Sequence, residues 1–591
     1  MLKNKLTLLR ILAASVVGLL LFVYLLLLIP SVQNFLVQRV AIQLSNKIGT
    51  EVKVGRVGFS LFNSIDIESL LIRDQHQDSL LYSKSFKLRI SDLLFSNNEP
   101  AIKYIGIEDT KIYTHRKDST WNYQFILDFL NKDSGSAQNI DIKKIDIKNI
   151  LFIEKDEWEG SLSYYGAKNI LCNIKSVHLL KNKFQIDQII VHQPNYKLVL
   201  TEENPNRIKQ KNKFISNTNV SRIPIQCKIA DIQIINGKIS IDNGVDKPLP
   251  YFDGAHIKIS DLNAQFSNTN IDDKIITTQA ALSLKERSGF EIKKLKTSFK
   301  STPQLMEFSK LLLKTNNSII GDYYAMEYSN FKQSFKNYIQ QVVMKAHLDN
   351  AMVATDDIAY FTPTLNGLHQ ILHLDFHFKG TVDHFEAKDL KAQYHHSSVT
   401  GSFSMKGIPN MHQTQINFTQ VKASTYYDDI SNWIPSLKSF TNIQAQKIGN
   451  LQFAGDFTGT VYDFVAKAQI NSALGNATTQ IRLQFPENSE PTYEGMLKTN
   501  RFNIGTLFNE PLLGFINFDG KINGSSFHID KLKTNVQGKI DSIQFNNYTY
   551  THISTDGQIQ KKAFNGQLKI KDPNINFISI LKNCPHCPLQ N

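Results

Sequence analysis

The sequence contains few cysteines and few prolines for its length. Its 591 residues include 4 Cys, 17 Pro and 29 Gly. So little cysteine excludes a disulfide-stapled scaffold, and so little proline and glycine excludes collagen-like and low-complexity disordered chains. With 41% hydrophobic and 20% charged residues, the chain has the composition of a globular protein.

The usual catalytic signatures are also missing. The sequence contains no H-E-x-x-H, no G-x-S-x-G, no P-loop and no G-x-G-x-x-G at the start of a helix. Cys584-Pro-His-Cys587 has the spacing of a redox C-x-x-C, but that chemistry requires the first cysteine at a helix N-terminus within a βαβ unit, and only four residues follow. We therefore expect neither an enzyme nor a cofactor.

One histidine-rich segment offers metal ligands. His373, Asp375 and His377 would share one face of a strand. They alternate with apolar residues, however, so a solvent-facing position explains them better than a metal site, and we expect no metal.

The net charge does not point to nucleic acid. The formal charge is +13, but 66 Lys and Arg residues are interleaved with 53 Asp and Glu residues, without a dense basic block. We expect a solvated, mildly basic surface and no nucleic-acid partner, with attraction to anionic lipid headgroups as the second interpretation.

An uncharged apolar run extends from Ile11 to Ile29. At about 1.5 Å per residue it reaches roughly 28 Å, enough to cross a bilayer core. The run is too long for a typical signal peptide and ends in Leu28, Ile29 and Pro30 instead of a small-residue cleavage site, which favours an uncleaved anchor over a cleaved signal. Its expected lipid-facing residues are Ile11, Leu19, Leu20, Phe22, Leu27 and Ile29.

A short amphipathic helix is predicted over 31–49. Pro30 and Ser31 provide a start signal and Gly49 a stop. The predicted apolar face consists of Val32, Phe35, Leu36, Val40, Leu44 and Ile48. Two interpretations stay open: an interfacial collar for the anchor, or an end cap that covers the first strands.

After Gly49 the apolar period changes to two. Leu372, Leu374, Phe376 and Phe378 alternate with polar residues, and Ile145, Ile147, Ile232 and Ile234 follow similar patterns. Dipeptides such as Asn236-Gly237, Asp519-Gly520 and Asp556-Gly557 suggest tight hairpin turns. We therefore predict a mainly β protein of antiparallel strands, with insertions or loops at 201–220 and 315–337.

A repeat of apolar residues at offsets of zero, two, five and seven begins at Ile65, Ile105, Ile145, Ile189 and Ile232. The starts are about 40 to 44 residues apart, which is typical of stacked supersecondary units. Later copies start at Met306, Phe385 and Phe527. The same offsets predict strands around a kink at 305–313, where Thr302-Pro303 would otherwise suggest a helix.

These segments together resemble the AsmA-like family, most closely its TamB (translocation and assembly module) branch. The resemblance rests on SVQNFLVQRVAIQLSNKIGTEVKVGRVGFSLFNSIDIESLLIRD, on FKGTVDHFEAKDLKA, and on RFNIGTLFNEPLLGFINFDGKINGSSFHIDKL. It implies an elongated, repetitive antiparallel β-sheet at 50–575, curled into an apolar-lined groove behind a cytoplasmic stub and anchor at 1–30. Residues 576–591 form a tail unlike the family, whose members continue further, so the chain is expected to be C-terminally truncated.

The resemblance also implies a function and a location. Such proteins are anchored in the inner membrane with the body in the periplasm, and they are thought to conduct phospholipid towards the outer membrane. The expected partners are phospholipid acyl chains, the inner membrane and an outer-membrane β-barrel protein. The residues expected to line the groove are Ile145, Ile147, Ile232, Ile234, Leu372, Leu374, Phe376 and Phe378.

Two other functions stay open, a scaffold for outer-membrane protein assembly by β-augmentation and a structural stalk. A closed sandwich core would show the same alternation as an open groove. Lipid that copurifies with the protein would favour the conduit, and trapped unfolded clients would favour the scaffold.

The positive charges predict the orientation of the anchor. Because Lys3, Lys5 and Arg10 precede the apolar run, the N-terminus should be cytoplasmic and everything after Ser31 exported. Protease added to spheroplasts should digest the body and spare an N-terminal tag. Digestion of that tag in intact spheroplasts would reverse the orientation.

Overall fold

The described part of the chain consists mainly of long β-strands. The computed structural model describes residues 29–60, 64–90, 101–118, 120–132, 141–178, 182–200, 225–243, 247–408, 410, 413–433, 443–486, 489–527, 531–560 and 563–585, together with 15, 18, 19, 21–23, 25 and 26. The predicted loop at 201–220 therefore lies outside the described residues.

The chain divides into two units. The first comprises residues 1–302 with 313–316, and the second comprises 303–312 with 317–591. In the first unit the elements are α1 (Pro30–Ile48), β1 (Val52–Ser60), β2 (Ser64–Arg73), β3 (Ser79–Ile90), β4 (Ala101–Arg116), α2 (Gln124–Lys132), β5 (Asp141–Ile142), β6 (Lys144–Asp156), β7 (Ser161–His178), β8 (Lys183–His192), β9 (Asn195–Leu200), β10 (Gln226–Asp242), β11 (His256–Asp272), β12 (Ile275–Glu286) and β13 (Glu291–Thr302).

The second unit has the same character. Its elements are β14 (Leu305–Lys314), which enters both units, β15 (Ile319–Glu327), α3 (Phe331–Lys336), α4 (Tyr338–Gln341), β16 (Val343–Ala354), α5 (Thr355–Ala359), β17 (Ile371–Gly380), β18 (His384–Tyr394), β19 (Ser397–Lys406), β20 (Gln415–Thr425), α6 (Tyr427–Trp433), β21 (Leu451–Gly459), β22 (Asp463–Ser472), β23 (Gly475–Gln484), β24 (Thr492–Asn500), β25 (Phe502–Asn503), α7 (Ile504–Phe508), β26 (Leu513–Ser525), β27 (Lys533–Phe545), β28 (Tyr548–Gln560), β29 (Ala563–Lys571) and β30 (Asn576–Pro585).

Most neighbouring strands in both units are antiparallel, as predicted. In the second unit every described pairing from β15 to β30 is antiparallel. In the first unit, however, β4 pairs with β6 in parallel, and β10 pairs with both β8 and β9 in parallel. Each parallel pair is joined by a connection long enough for a crossover, which the hairpin signals did not reveal.

A left-handed residue in mid-strand explains the repeat. In all five early copies the residue at offset four has a positive φ: Ser69 at 59°, Asp109 at 50°, Asn149 at 53°, Gln193 at 49° and Asn236 at 56°. Such a residue interrupts the pleat and shifts the alternation by one, so offsets zero, two, five and seven all face the same side. At Asn236 it also forms a bulge, because the register with β11 shifts between Ile234 and Gly237. The sequence pattern is therefore the signature of a strand with a left-handed residue in its middle.

Two of the later copies have the same geometry. Lys310 has a φ of 51° in the copy that starts at Met306, and Asp389 has a φ of 55° in the copy that starts at Phe385. The predicted kink in residues 305–313 is confirmed, since β14 is a strand with its irregularity at Lys310. The third copy includes residues 528–530, which lie outside the described part.

Side chains on neighbouring strands satisfy the freed backbone groups at several bulges. The Asn236 N–H donates to Asn263 Oδ1 at 3.0 Å, and the Gln420 N–H donates to Asp456 Oδ1 at 2.9 Å. The Asn350 N–H donates to Asp375 in the same way. Because a bulge removes an N–H from the ladder, a carboxylate or amide on the next strand replaces the missing acceptor.

Three predicted hairpin turns are wrong. Asn236-Gly237 lies within β10, Asp519-Gly520 within β26 and Asp556-Gly557 within β28. Asn236 uses its positive φ for a bulge instead of a turn. Gly520 and Gly557 lie against neighbouring strands, where an added Cβ would come within 2.4 Å of Gln537 O and 2.6 Å of Asn565 O.

Two other segments are more ordered than predicted. The interval 315–337, expected to be irregular, contains β15 and the helix α3, whose Asn330 N-cap accepts a hydrogen bond from the Gln333 N–H at 3.1 Å. Residues 576–585 of the predicted tail form β30, which pairs with β29. Cys587 lies outside the described residues.

The helix α1 covers the free edge of β1. Gln38 Nε2 donates to Val54 O at 2.8 Å, and the Val52 N–H donates to Ser45 Oγ at 2.9 Å. Gln33 and Ala41 are buried on this side of the helix. The end-cap interpretation is confirmed, because polar side chains of α1 satisfy backbone groups that an edge strand would otherwise leave open.

Of the predicted anchor, Ile11, Leu20 and Leu27 lie outside the described residues, whereas Leu19, Phe22 and Ile29 are 62%, 58% and 44% exposed. Among the residues that the structure describes, no helix combines the length and the apolar character needed to cross a membrane. The anchor therefore stays a prediction.

The bulge geometry predicts a specific sensitivity at Asn236. Asn236→Val should lower the free energy of unfolding around β10 by about 1–2 kcal/mol, because a β-branched residue tolerates positive φ poorly. Asn236→Gly should be nearly neutral. Hydrogen exchange of β10 amides under increasing denaturant measures both changes, and equal stability of the valine variant would contradict the assigned bulge.

Candidate functional site

The candidate site is the apolar face of each sheet. All eight predicted lining residues, Ile145, Ile147, Ile232, Ile234, Leu372, Leu374, Phe376 and Phe378, are partly exposed, being neither buried nor fully open to solvent. Along β17 the intervening His373, His377 and Lys379 are exposed. Alternation therefore separates an apolar face from a solvated one, as predicted.

In the first unit, strand register aligns the repeat copies into rows. Ile145 lies opposite Ile105 on one side and Cys172 on the other. The row that contains Ile145 and Ile232 runs Ile65, Leu88, Ile105, Ile145, Cys172, Ile189, Ile232 and Phe266 from β2 to β11. A second row through Ile147 and Ile234 runs Ile67, Phe86, Ile107, Ile147, Ile170, Val191, Ile234 and Ala264.

In the second unit, phenylalanine rings form a ladder across successive strands. Its members are Phe378, Phe385, Phe403, Phe418, Phe457, Phe464 and Phe485, with successive ring centroids 4.7, 6.0, 5.1, 6.2, 4.5 and 6.1 Å apart. These separations are those of favourable aromatic pairs. We call this set the phenylalanine ladder.

Small residues lie between the rings of the ladder. Phe378 lies opposite Ala346 and Ala387, and Phe457 lies opposite Ala466. Phe403, Phe418 and Phe457 instead lie directly opposite one another. The ladder therefore combines rings flanked by alanine with rings that pair directly.

Two hairpins in the ladder share a sequence motif that the sequence analysis missed. Residues 378–385 read FKGTVDHF and residues 457–464 read FTGTVYDF. In both, the threonine N–H donates to a carbonyl three residues on, to His384 O and to Asp463 O, at 2.9 Å in each case. The shared F-x-G-T-V-x-x-F spacing is the signal that would have revealed the ladder.

The glycine of this motif is required by close packing. Gly459 has a φ of 141°, and an added Cβ would lie 2.3 Å from Asp463 O and 2.6 Å from Phe464 Cα. A larger residue would push apart the two strands whose phenylalanines, Phe457 and Phe464, pack at 4.5 Å. The glycine thus lets the hairpin bring the two rings together.

Within the part of the chain that the structure describes, no second protein layer covers the apolar face. Among the described residues, the largest side chains with less than 2% exposure are Val342, Thr355, Thr414, Ser334 and Ser526. A sandwich core would bury Phe, Leu and Ile completely. In each unit the described strands therefore keep an apolar face partly open to solvent.

The opposite, polar face carries ion pairs between strands. Arg482 pairs with Asp463 at 2.5 Å and Lys498 pairs with Asp519 at 2.9 Å. Hydrogen bonds from Arg482 and Gln484 lower the pKa of Asp463 to about 2. Because these pairs are largely exposed, they tie neighbouring strands together at little gain in stability.

One group on this polar face has the composition of a metal site. Asp322, His347 and Asp349 lie close together, and the His347 ring stacks on His377 with centroids 4.2 Å apart. Asp322 contacts Nδ1 of His347 at 2.7 Å, whereas Asp349 contacts Nε2 at 3.3 Å. One ion cannot use both nitrogens of the ring, so this geometry suits a histidine held between two carboxylates.

No family model, no curated protein and no solved structure matches this chain. The resemblance to AsmA-like proteins is therefore carried by the quoted segments alone. What the arrangement can do chemically follows from its geometry: it offers extended apolar surface to an apolar ligand, bordered by solvated charge.

Cys172 provides a native reporter of this surface. It lies in the row between Ile145 and Ile189, and desolvation, followed by the nearby charge of Cys227, raises the pKa of its thiol. Because only the thiolate reacts, Cys172 should be alkylated more slowly at pH 8 than an ordinary thiol, and faster as the pH rises.

Bound acyl chains should slow this alkylation further. The rate is measured by mass spectrometry with delipidated and lipid-loaded protein, and Cys172→Ser identifies the signal. A rate that lipid leaves unchanged would show that acyl chains do not cover this row.

Proposed function

We propose that the protein is an inner-membrane-anchored periplasmic protein that conducts phospholipid between the inner and outer membranes along the apolar faces of its sheets. The role is one of binding and transfer, without catalysis. The observation that carries the proposal is the phenylalanine ladder, an apolar face that crosses strand after strand and stays partly exposed.

The ladder is longer than one acyl chain. It extends from Phe378 on β17 to Phe485, the residue after β23, and so covers the width of seven strands, which at about 4.8 Å per neighbouring pair is roughly 30 Å. An acyl chain reaches about half of a bilayer core, or ~15 Å, so it would cover about three strands at a time. A bound chain would therefore have empty positions ahead of it along the row.

The energetics favour sliding. Each methylene that leaves water contributes about 0.8 kcal/mol, so a chain laid on the face is held firmly. Since Phe and Ala or Gly recur along the row, neighbouring positions offer similar contacts, and a chain that moves by one strand loses little. Because the binding free energy changes little from one strand to the next, such a face suits the transfer of lipid better than its storage at one site.

The exposed helical residues near the N-terminus support the membrane location. Leu19, Leu21 and Phe22 are 62%, 59% and 58% exposed. Apolar side chains at this exposure in water would be unfavourable, and a hydrocarbon environment removes that cost. The orientation rests on Lys3, Lys5 and Arg10, as argued from the sequence.

A second candidate function, a scaffold for assembling outer-membrane proteins, is favoured by β30. Among the described strands β30 pairs only with β29, and it exposes Ile578 by 59% and Ile580 by 72%. An open, apolar edge strand could accept an extended client by β-augmentation. Copurification of lipid favours the conduit, and copurification of unfolded outer-membrane proteins favours the scaffold.

The conduit is tested by a single charge on the apolar face. Phe376→Asp places a carboxylate among Leu348, Leu374 and Phe378, where an acyl chain would have to pass over it. The variant should lose most lipid transfer between donor and acceptor vesicles, because an unpaired charge in an apolar path is costly. It should stay folded, since Phe376 is partly exposed and strands contact mainly their neighbours.

The matched control is His373→Asp on the exposed face of the same strand. It should transfer lipid like the unmodified protein. His377 is a poorer control, because it stacks on His347 and lies 3.4 Å from Asp389. A folded Phe376→Asp protein with full transfer activity would contradict the conduit, and loss of its thermal transition would indicate a closed core instead.

A further inference from the structure

We infer that the outward side of α1 is a docking surface for the headgroup region of an anionic phospholipid bilayer. The inference rests on one part of the proposed function, namely that a membrane lies next to residues 11–48. It does not depend on lipid transport. It concerns the side of the helix that the first sheet leaves free.

The orientation of α1 is fixed by its inner side. Gln38 and Ser45 form hydrogen bonds to β1, while Gln33 and Ala41 are 5% and 4% exposed. These are mostly polar or small residues. The helix thus uses its polar side to cover the edge of β1, which turns its large apolar residues outward.

A surface helix usually packs its apolar side against the protein and exposes its polar side, whereas α1 does the opposite. Phe35, Val40 and Ile42 are 62%, 61% and 58% exposed, and Leu36 is 41% exposed. Of the predicted apolar face, Phe35, Leu36, Val40 and Leu44 point away from the sheet. A helix that exposes five large apolar residues while burying a glutamine needs a further partner for its outer side.

Charge indicates which partner this is. Residues 30–48 contain Arg39 and Lys47 and no acidic residue, so the helix is purely cationic. Arg39 lies over the ring of Phe35, 5.7 Å from its centroid, which places a positive charge next to the most exposed aromatic side chain. Apolar residues flanked by cations are typical of helices that lie in the interface of an anionic membrane.

The position of α1 supports the same partner. It follows directly after the apolar run 11–29, whose described large residues are likewise exposed. The helix α2 lies beside α1 and exposes Leu127 by 42%. Trp121 and Tyr123, which are enriched in membrane interfaces as residue types, stack on each other just before α2.

The test uses the full-length protein in lipid nanodiscs with a photoreactive benzoylphenylalanine at one position. The probe replaces Ile42 on the outer side, or Val37, which is partly buried, as the matched control on the same helix. We expect lipid adducts at Ile42 in discs that contain phosphatidylglycerol, and mainly intramolecular adducts at Val37. Adduct mass identifies the lipid.

Removal of charge tests the anionic preference. Arg39→Gln with Lys47→Gln should lower the adduct yield at position 42, by about fivefold for each basic residue that contacts the surface. Equal yields in phosphatidylcholine and phosphatidylglycerol discs would overturn the anionic assignment. An Ile42 probe that forms no lipid adduct, or that captures only another protein in native membranes, would overturn the docking surface.

A probe at Phe376 separates this inference from the conduit. Lipid adducts at Ile42 without any at Phe376 would support the docking surface and contradict transport along the apolar face of β17. Adducts at Phe376 without any at Ile42 would support lipid transport and contradict the docking surface. Phe35→Ser with Val40→Ser, which removes two other exposed apolar side chains, should lower the lipid adducts at position 42 and preserve the hydrogen bonds of Gln38 and Ser45 that hold the helix to β1.

Discussion

A single left-handed residue in the middle of a long strand controls the side on which its apolar residues lie. Without it, strict alternation over sixteen residues of a twisted strand such as β4 would be required. The left-handed conformation of Asp109 lets two short alternating segments share one face. Because the bulges of neighbouring strands are aligned, the apolar rows continue from strand to strand, and the polar face collects the acidic and amide groups that hold the bulges.

As a result, each strand is stabilised mainly by contacts with the strands on either side of it. Each strand gains its ladder hydrogen bonds and cross-strand pairs, such as the Phe403 and Phe418 rings 5.1 Å apart, from its immediate neighbours. These rings contribute less to the free energy of folding than fully buried phenylalanines would, because no second protein layer covers them among the described residues. Damage at one strand should therefore stay local, and the face keeps surface available for a ligand.

The edge strands β1 and β30 both have backbone groups without a neighbouring strand on one side, and the described structure treats the two differently. At β1 the helix α1 satisfies open backbone groups with Gln38 and Ser45, and its apolar side is left facing outward as a consequence. At β30 the described structure shows pairing on one side only.

The sequence by itself determined the strands, the apolar face and its spacing. Period two and the offsets of zero, two, five and seven are local properties, since they follow from pleat geometry and a one-residue bulge. Ile145, Ile147, Leu372 and Phe376 were assigned to the apolar face for that reason, and their place in a groove lining stays a prediction. The same local reasoning failed at Asn236-Gly237, because a residue with positive φ serves a bulge as well as a turn.

Only the tertiary structure decided which strands are neighbours and what covers them. The parallel pairing of β4 with β6 depends on a crossover, and the phenylalanine ladder depends on register between strands as far apart in sequence as Phe418 and Phe457. Likewise, the pattern of α1 predicted an apolar face but not its direction. Burial of that face competed with the need of β1 for hydrogen-bond partners, and the backbone requirement prevailed because an unsatisfied edge is the more costly outcome.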